Sequence, residues 1–393
     1  MTRKTYLLSI LLLLSQYAIS QAYVPGNSYF GRADYIEYVA GNLPLIISVP
    51  HGGGLTPAEI PDRTCGDESV TDLYTIELAQ SIRAEIMEIT GCTPHMVICH
   101  LKRTKLDANR NVDIAACGNE FAETAWNEYH LFLDSAKVSV KRLSGKGLLI
   151  DLHGHGHSIQ RLELGYQLSA DQLRYPDAML NEPEIINLSS IRNLALYNIT
   201  NLMHSELLRG FYSLGTLFAS RGYPAVPGID EPYPLSGEPY FSGGYISERH
   251  GSLLTGTVDA IQVECNQEVR FEKTARNAFG TAFAGILLDH LIRHYFPGLP
   301  DTYCTSSGSG LQYNREYGIY PVPFGDHLTV RALMPCQLSI YDNSGRIVVA
   351  RSVEDNEVIN TGNLINGTYV AVFRISGKPV YRCKMTKGST PGR

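Results

Sequence analysis

The chain has 393 residues, with 33 Lys and Arg against 39 Asp and Glu, and a formal net charge of -6. Its composition is that of an ordinary globular protein, and its length favours two folded units over one. The cations are scattered rather than striped, which argues against a nucleic-acid partner.

Residues 1–20 read as a signal peptide. Arg3-Lys4 precede a short apolar run from Tyr6 to Leu14, and Ala18-Ile19-Ser20 supply a small-x-small cleavage site. No later segment is long enough to span a bilayer, so no transmembrane helix is expected in the mature chain.

Residues 23–297 alternate strands and helices. Apolar runs predict strands at Leu43–Pro50, Met96–Leu101, Gly147–Leu152 and Ala260–Glu264. Helical spacing predicts helices over Val70–Thr90, Trp126–Leu143 and Glu272–Phe296. The expected fold is α/β: a mixed, mostly parallel sheet with helices on both faces. Residues 298–314 carry Pro300 and Ser306-Ser-Gly-Ser-Gly310, a linker composition. Residues 315–393 then change to short alternating strands separated by turns such as Asp342-Asn-Ser-Gly345, which predicts a small all-β, immunoglobulin-like sandwich. Export would make the eight cysteines candidates for disulfides. Cys336–Cys383 is the expected pair, because both lie in the tail.

The chemistry concentrates at strand ends. Two apolar runs finish in His51-Gly-Gly-Gly54 and in Asp151-Leu-His153-Gly-His155-Gly-His157. In open α/β sheets, ligands bind beyond the carboxyl ends of the strands. Two such histidines, with Asp67, Glu68 and Asp72 between them, point to a zinc site. A single strand-end histidine would more simply be a satisfied polar residue. Arg103 with Asn109 and Arg110 supplies fixed donors suited to a carboxylate; the alternative is a surface salt-bridge segment. Arg192 adds a cation beside a Ser-rich helix start. The Gly/Pro-rich stretches around Arg221 and Tyr245 suit either a lid or plain connection. Glu264 ends an apolar strand, where burial tunes a general base; the alternative is an ion pair with Arg270. His155 and His157 are either supporting groups or merely polar.

Seven words stand in one family's order: Ser48-Val-Pro-His-Gly52, Asp107-Ala-Asn-Arg110, Asp151-Leu-His-Gly154, Ser189-Ser-Ile-Arg192, Arg221-Gly-Tyr-Pro-Ala-Val-Pro227, Gly243-Gly-Tyr245 with Arg249-His-Gly251, and Gln262-Val-Glu264. From Tyr35 to Phe296 the chain resembles the N-formylglutamate amidohydrolases, whose fold is similar to that of zinc carboxypeptidases. The resemblance implies a Zn2+ hydrolase of a small acidic amide. His51, Glu68 and His153 would be metal ligands, with Asp67 and Asp72 as alternatives to Glu68. Glu264 would be the base and Arg103 the oxyanion partner. Asn109 and Arg110 would bind substrate, with Arg192, Arg221 and Tyr245 as further contacts. The substrate stays open between such an amide and an extracellular peptide, and a surface binding protein without activity is a third reading.

The tail resembles a second family. Tyr320-Pro-Val-Pro-Phe-Gly-Asp-His-Leu328, Ile340-Tyr-Asp-Asn-Ser-Gly-Arg346 and Leu364-Ile-Asn-Gly-Thr-Tyr-Val370 are similar to C-terminal sorting domains of type IX secretion substrates, with Val322 in place of the usual Asn. That implies the type IX machinery as partner and a secreted or cell-surface protein.

Overall fold

The structure, a computed structural model, describes residues 23–66, 68–299, 317–320, 324–332, 335–375 and 378–388. The expected signal peptide, Asp67, Cys304 and almost all of the expected linker lie outside those residues.

An eight-stranded sheet organises residues 23–299. Its strands are β1 (Ser28–Phe30), β2 (Ile36–Val39), β3 (Leu45–Val49), β4 (His95–Cys99), β5 (Gly147–Gly154), β6 (Leu162–Gly165), β7 (Ala225–Val226) and β8 (Val258–Cys265). Their order is β1-β2-β4-β3-β5-β8-β6-β7. The central strands β4, β3, β5 and β8 run parallel. β2 joins β4 antiparallel, and β6 joins β8 antiparallel. The mixed, mostly parallel sheet expected from the sequence is therefore present. Its edge strands β1, β2, β6 and β7 escape sequence reading because they are two to four residues long.

Strand alternation divides the core. Leu45, Ile47 and Val49 enter one buried cluster, with Leu148, Ile150 and Leu152. Ile46, Leu149 and Ala260 enter the other. Each fully buried aliphatic side chain of this kind contributes about 1.5–3 kcal/mol. The Thr75–Thr90 and Lys273–His294 helices cover the first face, and the Glu120–Ser144 helix covers the second. The first two helices meet closely: a Cβ at Gly280 would stand 2.4 Å from Ser81 Oγ. The Glu120–Ser144 helix starts where Asn119 accepts hydrogen bonds from the Phe121 and Ala122 N–H groups. It stops at Gly145, whose φ of 74° suits glycine.

The first helix begins at Thr75, not Val70. Residues 70–74 form an irregular segment instead, pinned to β3 by the Asp72 N–H donating to His51 O at 3.0 Å. That bond brings Asp72 beside His51.

Seven strands lie among the described residues of the tail. They are β9 (Tyr317–Tyr320), β10 (His327–Ala332), β11 (Cys336–Tyr341), β12 (Ile347–Val353), β13 (Val358–Asn360), β14 (Gly367–Ile375) and β15 (Lys378–Lys387). Two antiparallel sheets, β13-β10-β9 and β12-β11-β14-β15, share one core that includes Leu328, Val330, Leu338, Ile340 and Phe373. The expected Cys336–Cys383 disulfide is absent, and Cys336 is a buried free thiol. Register explains why. Cys383 stands opposite Ala371, which stands opposite Ile340, four residues along β11 from Cys336. The two cysteines are thus two strands apart and about 13 Å apart along the strand direction, beyond disulfide reach. Among the described residues, a disulfide joins Cys65 to Cys117 in the first unit.

Candidate metal centre and active site

The polar residues at the parallel strand ends form one row. Alternation puts Ser48, Asp151, His153, Gln262 and Glu264 on one side of the sheet. Ser48 pairs in register with Asp151, Asp151 with Gln262, and His153 with Glu264. Ser48 Oγ donates to Asp151 Oδ1 at 2.8 Å and lies 2.7 Å from the Tyr129 hydroxyl. The covering helix therefore locks the row through Tyr129.

His51 and His153 are arranged alike. His51 Nε2 lies 2.7 Å from Asp107 Oδ1, and His153 Nε2 lies 2.9 Å from Asp151 Oδ2. Each histidine thus directs its Nε2–H to a buried carboxylate and turns Nδ1 the other way. Both Nδ1 atoms face Asp72 Oδ2, at 3.4 Å from His51 and 3.2 Å from His153. His51 Nδ1 is buried and has no hydrogen-bond partner among the described residues. With the protons on Nε2, two nitrogen lone pairs and a carboxylate oxygen converge, which is repulsive unless a cation or a proton lies among them. The donor set suits zinc, and the carboxylate behind each imidazole is the support that metal-bound histidines receive. His51, Asp72 and His153 therefore fit a metal ion.

Electrostatics agree with this. Burial would lower the His153 imidazole, but the Asp151 charge and the hydrogen bonds to Asp151 and Asp72 hold it well above its ordinary value. Burial would raise Asp72, but the hydrogen bond with His153 and the neighbouring His51 imidazole hold it well below the usual carboxylate range.

Glu68, the residue the sequence favours as third ligand, lines the cleft above this row, 3.9 Å from Arg103 Nη1, but stands outside the His51–Asp72–His153 group. Its carboxylate accepts from the Ser69 and Val70 N–H groups and remains substantially exposed. Asp72, named with it as an alternative, stands beside the two histidines. Nothing periodic orders the acidic residues of this loop, so their spacing alone cannot rank them.

A cleft of about 370 Å³ opens over the row, lined in part by Arg103, Asn109, Arg110, His157, Phe241 and Glu264. Arg103 Nε donates to Asp107 Oδ2 at 3.0 Å, so one carboxylate fixes both His51 and Arg103. Asn109 Oδ1 accepts from the Ile246 N–H at 2.8 Å. That bond draws the Gly243–Tyr245 loop over the cleft, and a Cβ at Gly244 would stand 2.3 Å from Asn109 Nδ2. Arg110 faces the same cleft, held by its Nη1 donating to Asn109 O at 2.9 Å. Burial pushes the Glu264 carboxyl up to about 8, against the pull of His153. Gln262 Nε2 donates to it at 3.0 Å. Arg270 makes no ion pair with Glu264. It donates instead to the carbonyls of Cys265, Leu73 and His155, tying three loops behind the site.

Three expected substrate contacts lie away from the cleft lining. Arg221 pairs with Asp289 at 3.2 Å on the Lys273–His294 helix. Arg192 Nε donates to Asn187 Oδ1 at 2.7 Å. Tyr245 packs against Trp126 and His130, and Arg249 Nη1 donates to its hydroxyl. Sequence reasoning also passed over the supporting roles of Asp107 and Asp151. The signal was available, since Asp151-x-His153 on one strand puts both side chains on one face.

Residues 318–387 match the family model described as "Secretion system C-terminal sorting domain". The tail is a secretion sorting domain. It marks the protein for secretion or the cell surface. No curated protein matches the chain by sequence. Among solved structures it is similar to an N-formylglutamate amidohydrolase from Ralstonia eutropha JMP134, at 15% identity over 64% of this chain and 94% of that one, with a TM-score of 0.38. A gene product of Agrobacterium tumefaciens is similar at 10% identity over 65% and 94% of the two chains, with a TM-score of 0.40. A succinylglutamate desuccinylase from Chromobacterium violaceum is similar at 9% identity over 77% and 86%, with a TM-score of 0.30.

Proposed function

We propose that the protein is an exported zinc-dependent hydrolase that cleaves an amide bond next to a carboxylate, in the manner of an N-formylglutamate amidohydrolase. The observation that carries this reading is the convergence of His51 Nδ1, His153 Nδ1 and Asp72 Oδ2, with each histidine backed by its own aspartate. His51, Asp72 and His153 would hold the metal. Zinc in a three-ligand protein site supplies a Lewis acid and a water acidic enough to ionise near neutrality.

The protein's own residues would do the rest. Glu264 would accept a proton from the attacking water, in reach because it is the register partner of His153. Arg103, held by Asp107, would donate to the oxygen that gains negative charge. Arg110, with Asn109 beside it, would grip the substrate carboxylate. Asp107 and Asp151 would keep both imidazoles turned the right way. The type IX machinery would read the tail and deliver the enzyme outside the cell, with the signal peptide of residues 1–20 as the first address.

Export favours a second reading of the same centre, as a carboxypeptidase or peptide amidase acting on extracellular peptides. Turnover of N-formyl-L-glutamate compared with that of peptides ending in glutamate, both with zinc-loaded protein, separates the two. Release of free glutamate from the formyl compound supports the first reading. Peptide cleavage without deformylation supports the second, and no turnover of either contradicts both.

A further inference from the structure

One wall of the cleft carries a pair of side chains with no part in the reading above. His157 lines the cleft on the loop after β5. Its Nδ1 lies 2.8 Å from Oε1 of Glu163, a fully buried residue of β6. The other oxygen of Glu163 accepts from the Phe241 N–H at 2.8 Å. The His157 ring stacks on Phe241, with centroids 4.7 Å apart and planes 14° apart. Two anchors thus fix the imidazole, and Nε2 is its remaining nitrogen. The side chain keeps 23% exposure and lines the cleft, and Nε2 carries no hydrogen bond to another described residue.

The pair is not a second metal site, although His155, His157 and Glu163 lie close together. His155 spends both nitrogens locally: Nε2 donates to Arg161 O at 2.8 Å, and Nδ1 accepts from the His157 N–H at 3.1 Å. A buried carboxylate behind one nitrogen of an imidazole, with the other nitrogen open to the cleft, is instead the arrangement of a proton-transfer histidine. Its position fits. Glu163 stands opposite Glu264 in the β6–β8 register, so the two proton-handling groups would flank one reaction centre.

We propose that His157, oriented by Glu163, is the catalytic acid that protonates the leaving nitrogen. The inference rests on the amide-hydrolase reading. Water adds to the amide carbon, forming a C–O bond, while Glu264 takes the water proton and the carbonyl π electrons move to oxygen. On collapse the C–N bond breaks and its electron pair stays on nitrogen. The Nε2 proton of His157 passes to that nitrogen, leaving the imidazole neutral. The imidazole regains a proton from solvent, Glu264 releases its own, and the products are a carboxylic acid and an amine. An amide anion is far too basic to leave unprotonated, so this step is needed for amides. A phenolate leaves without a proton.

The test follows from that difference. Full-length mature protein loaded with zinc is assayed on N-formyl-L-glutamate, on 4-acetamidobenzoate and on the aryl ester 4-acetoxybenzoate. His157→Gln should lower turnover of the amides by about 10²-fold or more and leave that of the ester within about threefold, with zinc content unchanged. Glu163→Gln, which removes the charge behind the ring, should show the same selective loss. Equal losses on ester and amides would overturn the assignment and make the pair structural. Wild-type protein that takes up zinc but cleaves neither class would overturn the hydrolase reading, and the proposal with it.

Discussion

His153 and Glu264 stand directly opposite one another in register on the adjacent parallel strands β5 and β8. One histidine of the candidate metal centre and the candidate base are thus fixed by the same backbone ladder, and no mobile loop lies between them. Glu264→Gln preserves the shape and the Gln262 neighbour but cannot accept a proton. We expect turnover to fall by about 10²–10⁴-fold with metal content unchanged. Steady-state kinetics beside elemental analysis check this, and an active Gln variant would move the base elsewhere.

The carboxylates behind the histidines should tune the metal without touching it. Asp107 holds both His51 Nε2 and Arg103 Nε. Removing such a partner costs about 10–100-fold in metal affinity. Asp107→Ala should therefore weaken zinc by about that factor in competition with a chromophoric chelator. Unchanged affinity would mean that Asp107 does not position His51.

Metal uptake should depend on pH. His153 is held well above its ordinary value in the metal-free protein, with burial opposing and Asp151 and Asp72 outweighing it. Its raised value stabilises the metal-free fold fully below about pH 6.5, the ordinary histidine value, and that contribution is lost as pH rises through the folded value. A metal must displace this proton. Near neutrality the apparent affinity should therefore rise about tenfold per pH unit for each proton released. Calorimetry in buffers of different ionisation enthalpy counts that proton. A pH-independent affinity would show that His153 is already neutral.

The Cys65–Cys117 disulfide closes a loop of 52 residues and ties the segment before Asp72 to the Val112–Ala116 helix. Chain entropy alone assigns such a loop about 4 kcal/mol. Arg63 works with it, donating to the carbonyls of Cys65 and Ile114. Cys117→Ser should lower the thermal midpoint and speed zinc loss to a chelator. An unchanged midpoint would show that Arg63 holds the segment unaided.

The catalytic candidates all lie before residue 300, and the tail has its own core. A chain ending at residue 299 should keep full hydrolytic activity when purified. In the native host it should stay in the periplasm, because the sorting domain is gone. Cell fractionation measures this, and normal export of the truncated chain would make the tail a binding module.

Much of this fold was legible because buried parallel strands advertise themselves. Leu45–Val49, His95–Cys99, Gly147–Gly154 and Val258–Cys265 are mostly apolar, buried runs that end near Gly, Pro or polar residues. His51, His153 and Glu264 could be read from those strand ends. Asp72 could be named but not chosen, since a backbone hydrogen bond to His51 O puts it in reach and no sequence pattern reports that bond. Arg192, Arg221 and Tyr245 were drawn in by the family's motifs, yet each is engaged within the scaffold. Glu163 was invisible for a simpler reason: a charged residue inside a four-residue strand does not resemble a core position until its partner His157 is found.

The most direct test of the account is the metal itself. Mature protein purified without chelator and dialysed against zinc should carry about one zinc per chain by elemental analysis, as one three-ligand site requires. His153→Ala and Asp72→Ala should each lose that zinc, while Glu68→Ala should keep it. Protein that takes up no zinc, or an Asp72→Ala variant that retains it while Glu68→Ala does not, would contradict the centre described here.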